Sequence, residues 1–283
     1  MTGTTQIVWQ GDIARPTGLA WLAGAECLLV CDPEGGRLGS LDPDGGAVSL
    51  MSTGGPTSFC FPTRDGELLL GMGGDLVRLD GNGNSEVEVR IDMPAHLQTG
   101  TGTADCLGRL WFAAPDASGG DDGRVYRYHD GRMIPSLFGR CRPGGVAVSA
   151  DGRMLVHANG TARRIEYYRI SPAAALSAGE VLAVLPDDAG EPRGIALDRD
   201  GGLWVALSSG RLALIAPDGT IAMQVEIAGE AIDVAFGGTD MATLFVSTPG
   251  AIHAVQPPVA GLAIGAVKLS AGAHLGLIED DDH

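Results

Sequence analysis

The side chains here that could move a proton or hold an anion are few and far apart. His157 and Asn159 stand two residues apart in Val156-His157-Ala158-Asn159-Gly160. On an extended strand both therefore face one side. An imidazole titrates near neutral pH, which suits it to general acid or base work; a hydrogen-bonded structural histidine is the other reading. Arg193, in Glu191-Pro192-Arg193-Gly194-Ile195, carries a permanent cation whose forked donors fit a carboxylate or a polarised carbonyl oxygen. Thr17, Gln98, Thr101, Arg142 and Asn159 are the polar candidates for placing a substrate. Met72, beside Gly73 and Gly74, could add an apolar wall, although core packing is the commoner fate of methionine.

Other chemistries lack their residues. No serine sits in a nucleophile elbow. Gly119-Gly120-Asp121-Asp122-Gly123 has neither the Lys-Ser/Thr ending nor the following helix of a phosphate loop. Cys27, Cys31, Cys60, Cys106 and Cys141 form neither a disulfide framework nor a metal-spaced pair. Each lies in or beside an apolar run and reads as a small buried hydrophobe. Asp105, Asp151 and Asp198 belong to hairpins, where turn hydrogen bonding explains them.

The elements that would position these residues are short strands. The chain has 283 residues, 44 of them glycine, with 45% hydrophobic and only 5% aromatic residues. That composition builds a core with many turns. With 19 basic against 35 acidic residues the net charge is −16, which argues against nucleic acid or an anionic membrane as partner. The longest apolar stretch, Val259 to Val267, is too short to span a bilayer. The start MTGTTQIVWQ lacks the basic and apolar regions of a signal peptide, so a reduced, cytoplasmic setting is expected. Glu279 to His283 reads as a frayed acidic tail.

A turn followed by an apolar strand recurs along the chain. It appears at Arg64-Asp65-Gly66-Glu67-Leu68, Cys106-Leu107-Gly108-Arg109-Leu110-Trp111, Ala150-Asp151-Gly152-Arg153-Met154-Leu155 and Asp200-Gly201-Gly202-Leu203-Trp204. Degenerate copies stand at Gly24 and Asp240. The markers Gly24, Gly66, Gly108, Gly152, Gly201 and Asp240 are spaced by 42, 42, 44, 49 and 39 residues. Such a period, with turns inside each unit, predicts an all-β, six-bladed β-propeller with four antiparallel strands per blade and a central channel. One domain then covers residues 1–283. The leading strand Gln6 to Trp9 is expected to complete the last blade, because an open ring leaves an unpaired edge. Only Pro172 to Val184 reads as helical, as a short excursion between strands. Residues just before each inner strand, which include Thr17, Gly100 with Thr101, Gly144 and Arg193, should meet at one mouth of the channel.

These stretches resemble the SMP-30/gluconolactonase/LRE family of six-bladed propellers. The resemblance rests on Leu28-Leu29-Val30-Cys31-Asp32-Pro33-Glu34-Gly35-Gly36-Arg37-Leu38, Gly145 to Arg153, Gly201 to Leu207 and Val234 to Asp240. It covers roughly residues 10 to 265, and the ordered set carries it rather than any one piece. It implies hydrolysis of small lactones with one divalent cation in the channel. The implied protein ligands are a Glu, an Asn and an Asp before the first, fourth and fifth inner strands. This chain has Thr17, Gly144 and Arg193 there, and Gly100 with Thr101 where an Asn-Asp pair helps bind substrate. Neither threonine nor glycine offers an anion, and arginine repels a cation. No metal or other cofactor is therefore expected. Arg193 then either takes over the electrostatic role of the metal or pairs with an acid such as Glu191 or Asp198. The expectation is a lactone-, ester- or carbonyl-acting enzyme with Arg193 and His157 as its catalytic pair. A metal-independent isomerase, hydratase or lyase stays open, as does a non-catalytic propeller that binds a small ligand or a protein.

Overall fold

The computed structural model describes residues 5–270, apart from residues 45 and 140. The proposed tail from Glu279 to His283 lies outside the described residues. Six four-stranded antiparallel sheets form the blades of a propeller. Their inner strands are Thr17–Leu22, Thr57–Pro62, Gly102–Ala104, Pro143–Val148, Pro192–Leu197 and Asp233–Gly237. Each is followed in sequence by the next strand outward, so five blades are simple up-and-down meanders.

The sixth blade is completed from the other end of the chain. Strand Thr5–Gln10 pairs antiparallel with Ala251–Val255, Trp9 lying opposite Ile252. The leading strand thus closes the ring, as its pattern predicts, and it pins Trp9 at 8% exposure. Isolated, this strand would present an unpaired edge.

The recurring turn has a backbone reason. Gly66, Gly108, Gly152 and Gly201 all adopt left-handed φ, between 69° and 86°, which a side chain disfavours. In the degenerate copies the left-handed position falls on Glu26 and Asp240. The strand after the turn drives its hydrophobic residues between neighbouring blades, and Trp111 and Trp204 are fully buried there. Asp105 and Asp198 accept backbone N–H bonds inside these turns, Asp105 from Leu107 and Arg109 and Asp198 from Asp200 and Gly202.

Two expectations need correction. The stretch from Pro172 to Val184 is not helical. It makes a turn tied by an Ile170–Leu176 bridge and then the outer strand Glu180–Val184 of blade 4. The alanines there have helical propensity, but the blade needs a fourth strand, and tertiary pairing overrides a weak local preference. The cysteines are also not all core residues: Cys27, Cys31 and Cys60 are buried, Cys106 is exposed in its turn, and Cys141 is half-buried.

After blade 6 the chain crosses the end of the channel where the inner strands finish. Its backbone bonds run from blade 5 to blades 3 and 2: Leu262 N–H to the Leu197 carbonyl, Gly265 to Ala104 and Val267 to Pro62, at 3.0, 2.9 and 2.8 Å. This strap floors the channel and leaves the opposite end open.

Candidate functional site

Aligning the six inner strands by their pairing stacks two rings of residues at the open end. The outer ring is Thr17, Ser58, Gly100, Gly144, Arg193 and Ile232, and the next is Gly18, Phe59, Thr101, Gly145, Gly194 and Asp233. Half of the second ring is glycine, at Gly18, Gly145 and Gly194, where the strands converge on the axis. A β-carbon at Gly18 would run into the Ser58 carbonyl, and its φ of +60° is left-handed besides. A β-carbon at Gly194 would overlap the Asp233 carboxylate.

Above these rings lies a cavity of about 370 Å³, lined by Thr17, Ser58, Gln98, Thr101, Gly144, Arg193 and others. The positions singled out before the inner strands therefore do meet at one mouth. Thr101 donates its hydroxyl to the Gly144 carbonyl at 2.9 Å, tying blade 3 to blade 4. Gln98 is held by its backbone N–H on the Pro115 carbonyl. Met72 is not part of this lining: Gly73 takes that place, and Met72 packs against the core shared by blades 1 to 3.

Arg193 shares the mouth with the cation of Arg15, and it is not free. Its Nη2 lies 3.2 Å from Glu230 and 3.7 Å from Glu191. Glu191 in turn holds Arg142 at 2.6 Å, and Glu230 holds Arg15 at 3.2 Å. The five side chains make an alternating string along the rim. Of the two acids expected for Arg193, Glu191 is a partner. Asp198 is not, being occupied by its own turn. The Arg193 Nε is buried without a hydrogen-bond partner among the described residues, a costly state that a bound acceptor would relieve.

Directly beneath is a second chamber of about 230 Å³, which shares Thr101 with the mouth and is floored by Leu262 to Gly265 of the strap. Asp233 lines it. Its Oδ2 accepts the Leu19 N–H at 3.1 Å and its Oδ1 the Val234 N–H at 2.9 Å, so it also links blade 6 to blade 1. Burial pushes this carboxyl up to about 6, and the backbone donors only partly offset that rise. The sequence argument overlooked Asp233. Its signal was present: at the place where the other blades carry glycine three times, phenylalanine and threonine, the sixth carries an acid.

His157 and Asn159 share a side, as their spacing requires, but they line a different cavity. It opens between blades 3 and 4, and none of its lining residues belongs to the mouth. The expected pairing of Arg193 with His157 is therefore not assembled. The inner strand of blade 4 lies opposite His157 at Val146, so the imidazole projects away from the axis, into the space between blades. Arg142 borders the mouth only through its bond to Glu191 and lines a side groove with Arg163 and Ser208.

The divalent cation implied by the resemblance does not fit these residues. Among the described residues no group of three or more histidine, cysteine or acidic side chains is placed to hold an ion. At the mouth the three implied positions supply a hydroxyl, a bare backbone and a cation.

Comparison with known proteins bears on the whole chain. Residues 15–250 match the family model described as the SMP-30/Gluconolactonase/LRE-like region. The chain is 29% identical over 238 residues to the pentonolactonase XacC of Haloferax volcanii, covering 82% of this chain and 81% of that protein. It is 25% identical over 239 residues to a 6-deoxy-6-sulfogluconolactonase of Pseudomonas putida, with 81% of each covered. In three dimensions it is similar to a calcium-binding protein, regucalcin, from Agrobacterium tumefaciens. The TM-score is 0.88 at 17% identity, over 95% of this chain and 99% of that one.

Proposed function

The chain belongs to the SMP-30/gluconolactonase/LRE-like family, and from that premise we propose that it opens a small lactone or related ester in the channel mouth without a divalent cation. The observation that carries this is the mouth itself. Its cavity is large enough for a sugar-like lactone and gathers polar groups with the guanidiniums of Arg193 and Arg15. Two relatives named as lactonases, each covering about four-fifths of the chain, support the reaction class.

Arg193 polarises the carbonyl and holds the oxyanion as charge develops, in the role a metal would fill. Thr17, Gln98 and Thr101 orient the ring oxygen and hydroxyls. With His157 in another cavity, proton transfer falls to Asp233. Its Oδ1 lies beside Gly194 of the mouth lining, and water would relay the proton between the carboxylate and the substrate. The water oxygen bonds to the carbonyl carbon, its proton passes to Asp233, the ring C–O bond breaks, and that proton ends on the departing alkoxide.

The test is a panel of five- and six-membered sugar lactones, assayed with and without chelator, beside elemental analysis of the purified protein. Turnover that survives chelation, with no stoichiometric calcium or zinc, is the expected result. One tightly bound ion per chain, with activity lost on chelation, overturns the metal-free reading.

A second reading has its own support. Arg193 already satisfies Glu191 and Glu230, as it would in a binding propeller that turns nothing over. Ligand binding without turnover of any lactone, or a lyase, hydratase or isomerase activity on a related carbonyl compound, would favour that side. In either case the partner is a small molecule. The net charge of −16 disfavours nucleic acid and anionic membranes, and among the described residues no helix is long and apolar enough to cross a membrane. Five free cysteines support a reducing, cytoplasmic setting.

A further inference from the structure

The cavity between blades 3 and 4 has a volume of about 230 Å³ and holds three reactive side chains in a row. The Cys141 Sγ lies 3.5 Å from His157 Nε2. On the other side of the ring, His157 Nδ1 lies 3.6 Å from Glu166 Oε2. Glu166 is itself fixed: Tyr168 donates its hydroxyl at 2.8 Å, Arg164 its Nε at 2.5 Å, and Asn159 its amide at 3.3 Å. This is the order nucleophile, base, orienting carboxylate.

Three elements contribute. Cys141 comes from the connection into blade 4, His157 from its second strand Met154–Asn159, and Glu166 from its third strand Arg164–Arg169. The strand pairing sets His157 opposite Glu166, so the sheet holds their approach without help from any ligand. His157 is only 2% exposed, yet its Nδ1 has no hydrogen-bond partner among the described residues. A purely structural histidine at that depth normally satisfies both nitrogens. The adjacent His157 ring, with hydrogen bonds from Tyr168 and Arg164, holds Glu166 down to about 2, so it is an anion at any ordinary pH. Burial and that same anion keep the Cys141 thiol protonated, pushed up to about 12. The thiol therefore rests protonated, and sulfur becomes nucleophilic only as its proton moves to His157.

The rim indicates what would enter. Phe138 is 66% exposed, and the Arg124 guanidinium stacks on its ring at 5.5 Å. Arg124 has no ion-pair partner among the described residues. An apolar face beside an unpaired cation suits a short acyl chain that carries a negative charge.

We propose that Cys141, His157 and Glu166 form a second reactive site, separate from the channel, which takes the acyl group of small anionic esters or thioesters onto Cys141. The Cys141 sulfur bonds to the carbonyl carbon while its proton passes to His157 Nε2. The bond from that carbon to the leaving oxygen or sulfur breaks, and the proton on His157 ends on the leaving group. Water then attacks the resulting thioester: a new C–O bond forms, the C–S bond breaks, and a proton returns to Cys141. This site does not rest on the lactonase reading, since no residue is shared with the mouth.

The experiment uses the intact chain with mono-4-nitrophenyl succinate as the anionic probe and 4-nitrophenyl acetate as the neutral one. The expected result is a burst of one nitrophenolate per chain, with the acyl group located on Cys141 by peptide mass spectrometry. The anionic probe should react at least tenfold faster than the neutral one, a preference that Arg124→Ala removes. Cys141→Ser should abolish the burst, and Cys106→Ser should leave it unchanged. His157→Gln should slow it about 10²-fold while the thiol count in denaturant is unaltered. Should His157→Gln fail to fold, the serine variants and the acylation map still decide. Acylation of Cys106 alone, or an unchanged burst in Cys141→Ser, overturns the proposal. Lactone turnover measured on the same variants reports the channel separately, so the two readings can fail independently.

Discussion

A guanidinium flanked by two carboxylates is a different reagent from one that stands alone, and Arg193 is of the first kind. Its pairs with Glu191 and Glu230 are half-exposed, so each adds little stability. Arg193→Ala should therefore lower lactone turnover on the order of 10²-fold and shift the melting temperature by only a few degrees. A clear loss of stability with activity intact would assign Arg193 to the rim alone. Asp233 gives a pH signature. As a base it must be ionised, so kcat/KM should rise with pH through about 6, and Asp233→Asn should remove that rise. The same shift acts on stability. A carboxyl raised from 3.8 to about 6 contributes stability only while protonated, and that contribution is lost as pH climbs through about 6. At neutral pH the fold thus bears a cost at the axis, as expected of a group kept for chemistry. Glu166 runs the other way. Held near 2 against an ordinary 4.5, it stabilises above about 4.5 and loses that contribution as pH falls towards 2. The melting-temperature gap between wild type and Glu166→Gln should be full at pH 6 and closed near pH 2; a gap that persists in acid would show that packing, not charge, sets it.

At the level of elements, the leading strand and the final strap hold the ring from its two ends. Thr5–Gln10 supplies the last strand of blade 6, with Trp9 buried beside Ile13 and Ile252. Trp9→Ala should cost about 3–5 kcal/mol in denaturant unfolding, as emptying a buried aromatic site does. An unchanged midpoint would mean that the ring does not need its closing strand. The strap decides which end of the channel is open. Its Gly265 packs so closely on the Asp105 carbonyl that a β-carbon would overlap it. Among the described residues the channel therefore has one entrance, and the residues before the inner strands face it.

On the scale of the whole molecule, six copies of one unit make a ring in which equivalent positions lie side by side although they are some 40 residues apart. A difference between copies at such a position is a difference at the site. That is how Thr17, Gly144, Arg193 and Asp233 come together around one axis. The other consequence of a ring is the cleft between neighbouring blades. Cys141, His157 and Glu166 belong to such a cleft, so two chemistries can sit on one propeller without sharing a residue.

The repeat was legible in the sequence because turns demand glycine at left-handed positions and blades demand apolar strands after them. Gly66, Gly108, Gly152 and Gly201 carry that signal, and with it came the six blades, the closing strand and the ring that includes Arg193. The parity of His157 and Asn159 was legible for the same reason, since strand faces alternate. What parity could not settle was which face of the sheet they occupy. Only the packing of blade 4 against blade 3 turns His157 from the axis into the cleft, beside a cysteine 16 residues away. The outer strand Glu180–Val184 was hidden because outer strands are exposed and carry weak hydrophobic pattern. The partner Glu230 and the raised carboxyl of Asp233 are likewise tertiary facts. A charge is set by what surrounds it, and those surroundings come from blades distant in sequence.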